Sequence, residues 1–180
     1  MDKNRAEITV DEGDHTAAKR AAQLASFEAS WRFSRALSLD LLAALSENSL
    51  LFSPGDKLGP FWKQFRHLGR VQENYMTALD TGVVKFSPES AGYTPEKTAG
   101  GADKKALRQY LQDLDARLFE RLHREPLPET IDWFGEPVGL VEHLFRLDSH
   151  ETLHHGQWIV YCQLCRQPFP DSWSIWGLTS

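Results

Sequence analysis

The chain has 180 residues, of which 41% are hydrophobic and 25% charged, and a formal net charge of -5. That length supports one domain with a full core and is short for two, so residues 1–180 are expected to form a single domain. The acidic balance argues against a phosphate-tracking surface and hence against nucleic acid as a partner, and no apolar run approaches a membrane span.

The N-terminus, MDKNRAEITVDEGDH, has neither the basic start nor the apolar middle of a secretory signal, which makes a cytoplasmic location the expectation. Residues 1–15 are expected to form an acidic, frayed tail that ends at an N-cap on Asp14 or Thr16. Helical spacing of Leu24, Phe27, Trp31, Phe33, Leu37, Leu41, Leu42 and Leu45 then predicts a long first helix, followed by a turn from Ser46 to Pro54. A second helix starts near Gly59 and Pro60, carries Phe61, Phe65, Leu68, Val71, Tyr75 and Leu79, and stops at Gly82. The stretch from Val83 to Gly101 is rich in Pro, Gly, Ser and Thr and is expected to be a long loop that shapes a pocket.

A third helix is predicted from Ala102 to Arg124, with Leu107, Tyr110, Leu111, Leu114, Leu118 and Leu122 facing inward. The next segment, EPLPETIDWFGEP, is broken by prolines and a glycine and supports at most a short strand or hairpin around Thr130 to Phe134. A fourth helix runs from Gly139 to Gln167 and is stopped by Pro168; the two tryptophans of the tail PFPDSWSIWGLTS are expected to pack on the bundle. The fold class is therefore all-α, a four-helix bundle.

The chemistry concentrates in the fourth helix. His150 and His154 lie one turn apart, roughly 6 Å along the axis and about 40° in rotation, so two imidazoles can share one ion. A third ligand has to come from elsewhere, since a metal site usually takes at least three protein groups. His67, in the middle of the second helix among aromatic residues, is a candidate; the alternative for a lone histidine there is a core ring bonded to a carbonyl.

Read together, these segments are familiar. HETLHHGQ, residues 150–157, resembles the fourth-helix signature of the DinB-like superfamily of metal-binding four-helix bundles, and LFSPGDKLGPFWKQFRHLGRVQENY is similar to that family's second-helix region. The resemblance extends from the first helix to the SWSIWGL tail. It implies up-down-down-up topology and a divalent transition metal, Zn or Ni, held by His67, His150 and His154. The sequence departs from the pattern at His155, where the family usually has Arg before the Gly-Gln pair.

His143 lies about 10 Å from His150 along the helix, so it can border the site but not share the ion. Gln157 falls on the face of His150, either to orient a ligand or to bond between helices. Cys162 and Cys165 form a CxxC too far along the helix to join the ion and read as two small buried residues. Glu73, Glu142 and Glu151 are candidate acids, although helical glutamates are usually solvated.

Three neutral imidazoles leave an ion with an open position, the pattern of catalytic sites. Relatives implied by the resemblance use low-molecular-weight thiols such as bacillithiol, mycothiol or glutathione, and others are hydrolases. The expectation is a metal-dependent enzyme acting on a small-molecule substrate, with thiol transfer ahead of hydrolysis; a non-catalytic metal-binding stress-response protein is the alternative. The aromatic-rich tail and helix faces also lead to an expectation of a homodimer.

Overall fold

Four stretches of helical apolar spacing become four long helices in the computed structural model, which describes residues 12–55, 57–86 and 102–178. Helix α1 spans Glu12–Ala44, the short α2 Glu47–Leu51, α3 Phe61–Thr81, α4 Lys104–Leu122 and α5 Leu140–Cys165. Strands β1, Thr130–Trp133, and β2, Glu136–Gly139, precede α5, and a 3-10 helix, Asp171–Trp176, follows it. None of these helices is long and apolar enough to cross a membrane.

The helix ends follow from local chemistry. Pro60 caps α3, where a missing N–H is no loss, and Gly82 ends it in the left-handed region at φ 71°, its N–H bonded to Ala78 O. Asp103 accepts from the N–H groups of Lys105 and Ala106 to start α4. Two expectations are corrected. Helix α1 is already formed at Glu12, so Asp14 and Thr16 lie inside it rather than at its N-terminal boundary, and only residues 1–11 of the expected tail fall outside the described residues. The expected turn from Ser46 to Pro54 contains α2, because Ser46 accepts from Ser49 N–H and Leu50 is buried. Residues 87–101, most of the expected loop, also lie outside the described residues.

Side-chain contacts give the helix directions. Phe27 meets Phe145 and Ser38 meets His155, so α1 and α5 run parallel. Tyr161, near the end of α5, touches Phe61 at the start of α3, while His143 near the start of α5 touches Tyr75 near the end of α3, so these two are antiparallel. Lys104, which opens α4, donates to Leu45 O just beyond α1, and Arg121 near the end of α4 reaches Asp80 near the end of α3. Hence α4 is antiparallel to α1 and parallel to α3, and the order is up, down, down, up. Gly69 is what lets α3 and α4 close: a Cβ there would sit 2.1 Å from Tyr110 Cε1.

Charge as well as hydrocarbon fills the middle. Arg35 of α1 is buried and meets Gln72 Oε1 of α3 at 2.8 Å, Asp115 Oδ1 of α4 at 3.4 Å and Glu151 Oε1 of α5 at 3.5 Å. Trp31 Nε1 and Gln72 Nε2 also donate to Asp115 Oδ1, and Ser38 donates to Glu151. Burial pushes the Glu151 carboxyl upward against the pull of Arg35 and Ser38.

The hairpin is fixed to this frame at two places. Its two-residue turn, Phe134 and Gly135 at φ 56° and 97°, is of the primed kind that matches strand twist, with Phe134 bearing the cost of a left-handed backbone. Pro137, with no N–H, stands opposite Asp132, whose own N–H and C=O bond instead to Gly82 O and from Val84 N beyond α3. Beneath it, Trp133 Nε1 donates to His143 Nδ1 at 3.0 Å, and His143 Nε2 donates to Tyr75 O at 3.1 Å. His143 is thus a fully buried tie between hairpin, α5 and α3, not a polar residue at the rim. In the tail, Trp173 is 0% exposed and donates to Leu37 O, whereas Trp176 is 43% exposed and lies with its ring centre 6.5 Å from that of His155 on α5, so the first is a core residue and the second packs at the edge of the bundle.

Both ring nitrogens of His143 are committed to the neutral form, and burial, which outweighs the bond to Tyr75, lowers its pKa from 6.5 to about 4. The unfolded chain therefore binds the extra proton between these values, and the ring's contribution to stability, complete above its unfolded pKa, falls as the solution is acidified. His143→Ala should cost about 3 kcal/mol at neutral pH through lost bonds and a cavity. Urea denaturation at about pH 7 and about pH 5 should show the wild-type advantage shrinking by roughly 2 kcal/mol.

Candidate metal centre

The antiparallel contact of α3 with α5 brings together His67, His150 and His154. Their ring centres are 5.1 Å apart for His67 and His150, 5.1 Å for His67 and His154, and 4.7 Å for His150 and His154. One nitrogen from each ring lies within 4.8 Å of the others. With metal–nitrogen bonds of about 2.1 Å and ring centres about 1.1 Å behind the nitrogens, three imidazoles at tetrahedral angles have centres about 5.2 Å apart. The observed ring spacing is close to that arrangement; the nitrogens, which would stand about 3.4 Å apart around such an ion, have to turn inward to reach it.

The rings are also in the right protonation state. Burial, with the neighbouring His67 adding to it, lowers His150 from 6.5 to about 4. Burial followed by His150, His67 and His155 lowers His154 to about 3, with Gln157 pulling weakly the other way. Burial, Arg70 and Arg66 lower His67. All three are neutral at ordinary pH and offer lone pairs, as metal ligation requires. His154 Nδ1 is buried with no hydrogen-bond partner, an unmet polar group on one ring of the cluster. The cluster is not sealed: His154 is 4% exposed, but His67 and His150 are only half-buried, leaving one side open.

The neighbours divide by helix face. One step along α5 turns the side chain by about 100°, so Glu151 and His155 point toward α1 while His150 and His154 point toward α3. Glu151 is committed to Arg35 and Ser38, and His155 is buried with Nε2 2.8 Å from Ser38 Oγ. At the position of the family's usual arginine, His155 therefore serves the core. Gln157 is exposed on the side of His154. Exposed Glu142 pairs with Arg146, so neither Glu142 nor Glu151 is a free acid at the triad.

Cys162 is buried and Cys165 half-buried; both are free thiols, so only the first matches the expected pair of buried residues. What spacing alone could not supply is the contact of Arg70 Nη2 with His67 Nδ1 at 2.9 Å, one turn along α3. An arginine three residues from a histidine on one helix is a visible signal, though solvated pairs at that spacing are common.

Comparisons with known proteins agree with this architecture. A family model described as the DinB superfamily matches residues 30–159, a span that includes all three histidines. The fold is similar to the crystal structure of a DinB-like protein from Bacillus cereus ATCC 10987, with a TM-score of 0.63 and 18% identity over 80% of this chain and 93% of that one. No curated protein matches the sequence.

If the three rings form one site, each ring is needed. Protein purified without a histidine tag should carry one divalent ion per chain, and His67→Ala, His150→Ala and His154→Ala should each lower metal affinity by a factor of a hundred or more, on the order of 3 kcal/mol. Elemental analysis of the four proteins checks this; full stoichiometry and affinity in the alanine variants would rule the site out.

Proposed function

The chain belongs to the DinB superfamily, and from that premise we propose that it is a metal-dependent enzyme whose divalent ion, Zn or Ni, sits on His67, His150 and His154. The observation that carries this reading is three convergent neutral imidazoles with one side open and, among the described residues, no carboxylate or thiol joining them. When bound, such an ion supplies Lewis acidity that polarises an oxygen or sulfur ligand and favours its deprotonated form. The protein's part is to hold three donors without offsetting the ion's charge, and to keep them unprotonated by burial.

Among reactions of this kind, the proposal favours conjugation of a low-molecular-weight thiol of the bacillithiol, mycothiol or glutathione type. The thiol gives up its proton and its sulfur attacks a small electrophile, whose leaving group or π electron pair is displaced as the new bond to sulfur forms. The chain's own cysteines are poorly suited to supply that sulfur. Cys162 faces the core, where burial and Cys165 push its thiol up to about 12, and Cys165 donates to Cys162 O. An external thiol is therefore required. Hydrolysis is the competing reaction on the same donor set, and a non-catalytic metal-binding role is less favoured because the triad is open on one side.

A homodimer belongs to the same proposal. Leu153 and Val160 are 61% and 53% exposed, and with Leu164 they form an apolar row along α5.

Turnover of a model electrophile separates the two reactions. Conjugation that needs both metal and added thiol, and that falls at least a hundredfold in His150→Ala, is the expected outcome. Metal-dependent ester or amide cleavage, unchanged by thiol, would replace transfer with hydrolysis.

A further inference from the structure

His67 has a cationic neighbour in bonding contact. Arg70 Nη2 stands 2.9 Å from its Nδ1. A guanidinium has N–H donors only and stays protonated, so Nδ1 must be the acceptor, and the single proton of the neutral ring sits on Nε2. An imidazole that binds a metal gives a lone pair from one nitrogen and keeps its proton on the other.

These two requirements collide. If His67 coordinated through Nδ1, the lone pair that Arg70 uses would be taken. If it coordinated through Nε2, the proton would have to move to Nδ1, and two donors would then face each other. Either way the hydrogen bond is lost. Charge acts in the same direction, since Arg70 and Arg66 both disfavour positive charge at His67.

We infer that the Arg70 guanidinium and a metal ion are mutually exclusive partners of His67, so that loading the triad displaces Arg70 and switches the proton-bearing nitrogen or the bonding partner of His67. The inference rests on the reading that the triad holds an ion. It assigns Arg70 a role that the three ligands do not have: it satisfies His67 in the metal-free protein and lowers the affinity of the site for its metal. Arg70 is half-buried and one turn from His67 on the same helix.

The test is Zn2+ alone, titrated against a competing chelator into metal-free wild type, Arg70→Met and Arg70→Lys. Met keeps the aliphatic packing and removes both charge and donors, whereas Lys keeps the charge. Arg70→Met should bind Zn2+ about tenfold to a hundredfold more tightly than wild type, the worth of one hydrogen bond to a charged group, with Arg70→Lys between them. Circular dichroism checks that the variants keep their helices.

A second measurement needs no variant. Nitrogen-15 NMR of the metal-free wild type should show His67 protonated at Nε2, and Zn2+ should change its pattern. Equal or weaker Zn2+ binding by a folded Arg70→Met, or a metal-free His67 protonated at Nδ1, overturns the inference while leaving the triad intact. Failure of all three proteins to bind Zn2+ overturns the triad and the inference with it.

Discussion

The guanidinium of Arg35 is the constraint on which the rest of the bundle depends. It lies at the centre, and its partners come one from each of the other three long helices: Gln72, Asp115 and Glu151. A buried charge stripped of a partner costs about 3–5 kcal/mol, so the helices are held in the register that lets all three reach it. That register also builds the candidate site. Gln72 follows His67 by five residues on α3, and Glu151 directly follows His150 on α5. Sliding α3 along α5 by one turn, about 5.4 Å, would leave Arg35 short of a partner and carry His67 away from the other two rings.

Helix α5 consequently works on two faces at once. His150 and His154 face α3, where they are held neutral and converge; Glu151 and His155 face α1, where they complete a hydrogen-bonded core with Ser38 and Arg35. The adjacent residues have opposite duties because neighbouring helical positions diverge while residues four apart coincide. A bond from His155 to Ser38 also explains how this chain accommodates a histidine where an arginine is usual: the side chain packs inward and has a partner there. Two further rings, Trp158 beside His154 and Phe65 against Trp158, form an apolar floor under the triad.

Much of this was legible in the sequence, for identifiable reasons. Helix spans followed from apolar spacing, and their ends from Pro60 and Pro168, whose rings fix φ and remove a donor, and from Gly82, which admits the left-handed backbone that stops α3. The histidines could be grouped because an i, i+4 pair needs a third ligand and the flanking motifs resemble those of a family that has one. The polar core was not legible. Arg35, Gln72, Asp115 and Glu151 are single polar residues on amphipathic helices, where the ordinary expectation is solvent, and only the packing of four helices shows that they meet. The same limit applied to His143, whose two bonds come from a hairpin and from the far end of α3. Leu153 and Val160 show the converse: both are apolar residues of α5, yet they lie on its outer side.

The central claim, that these three imidazoles form one metal site, is tested most directly by X-ray absorption at the metal edge of the untagged, metal-loaded protein. The account predicts three imidazole nitrogens at about 2.0–2.1 Å, with the remaining scattering from light exogenous atoms, and no sulfur of the chain at about 2.3 Å. A spectrum of the thiol-free protein dominated by sulfur, or one with fewer than two imidazoles, would contradict it.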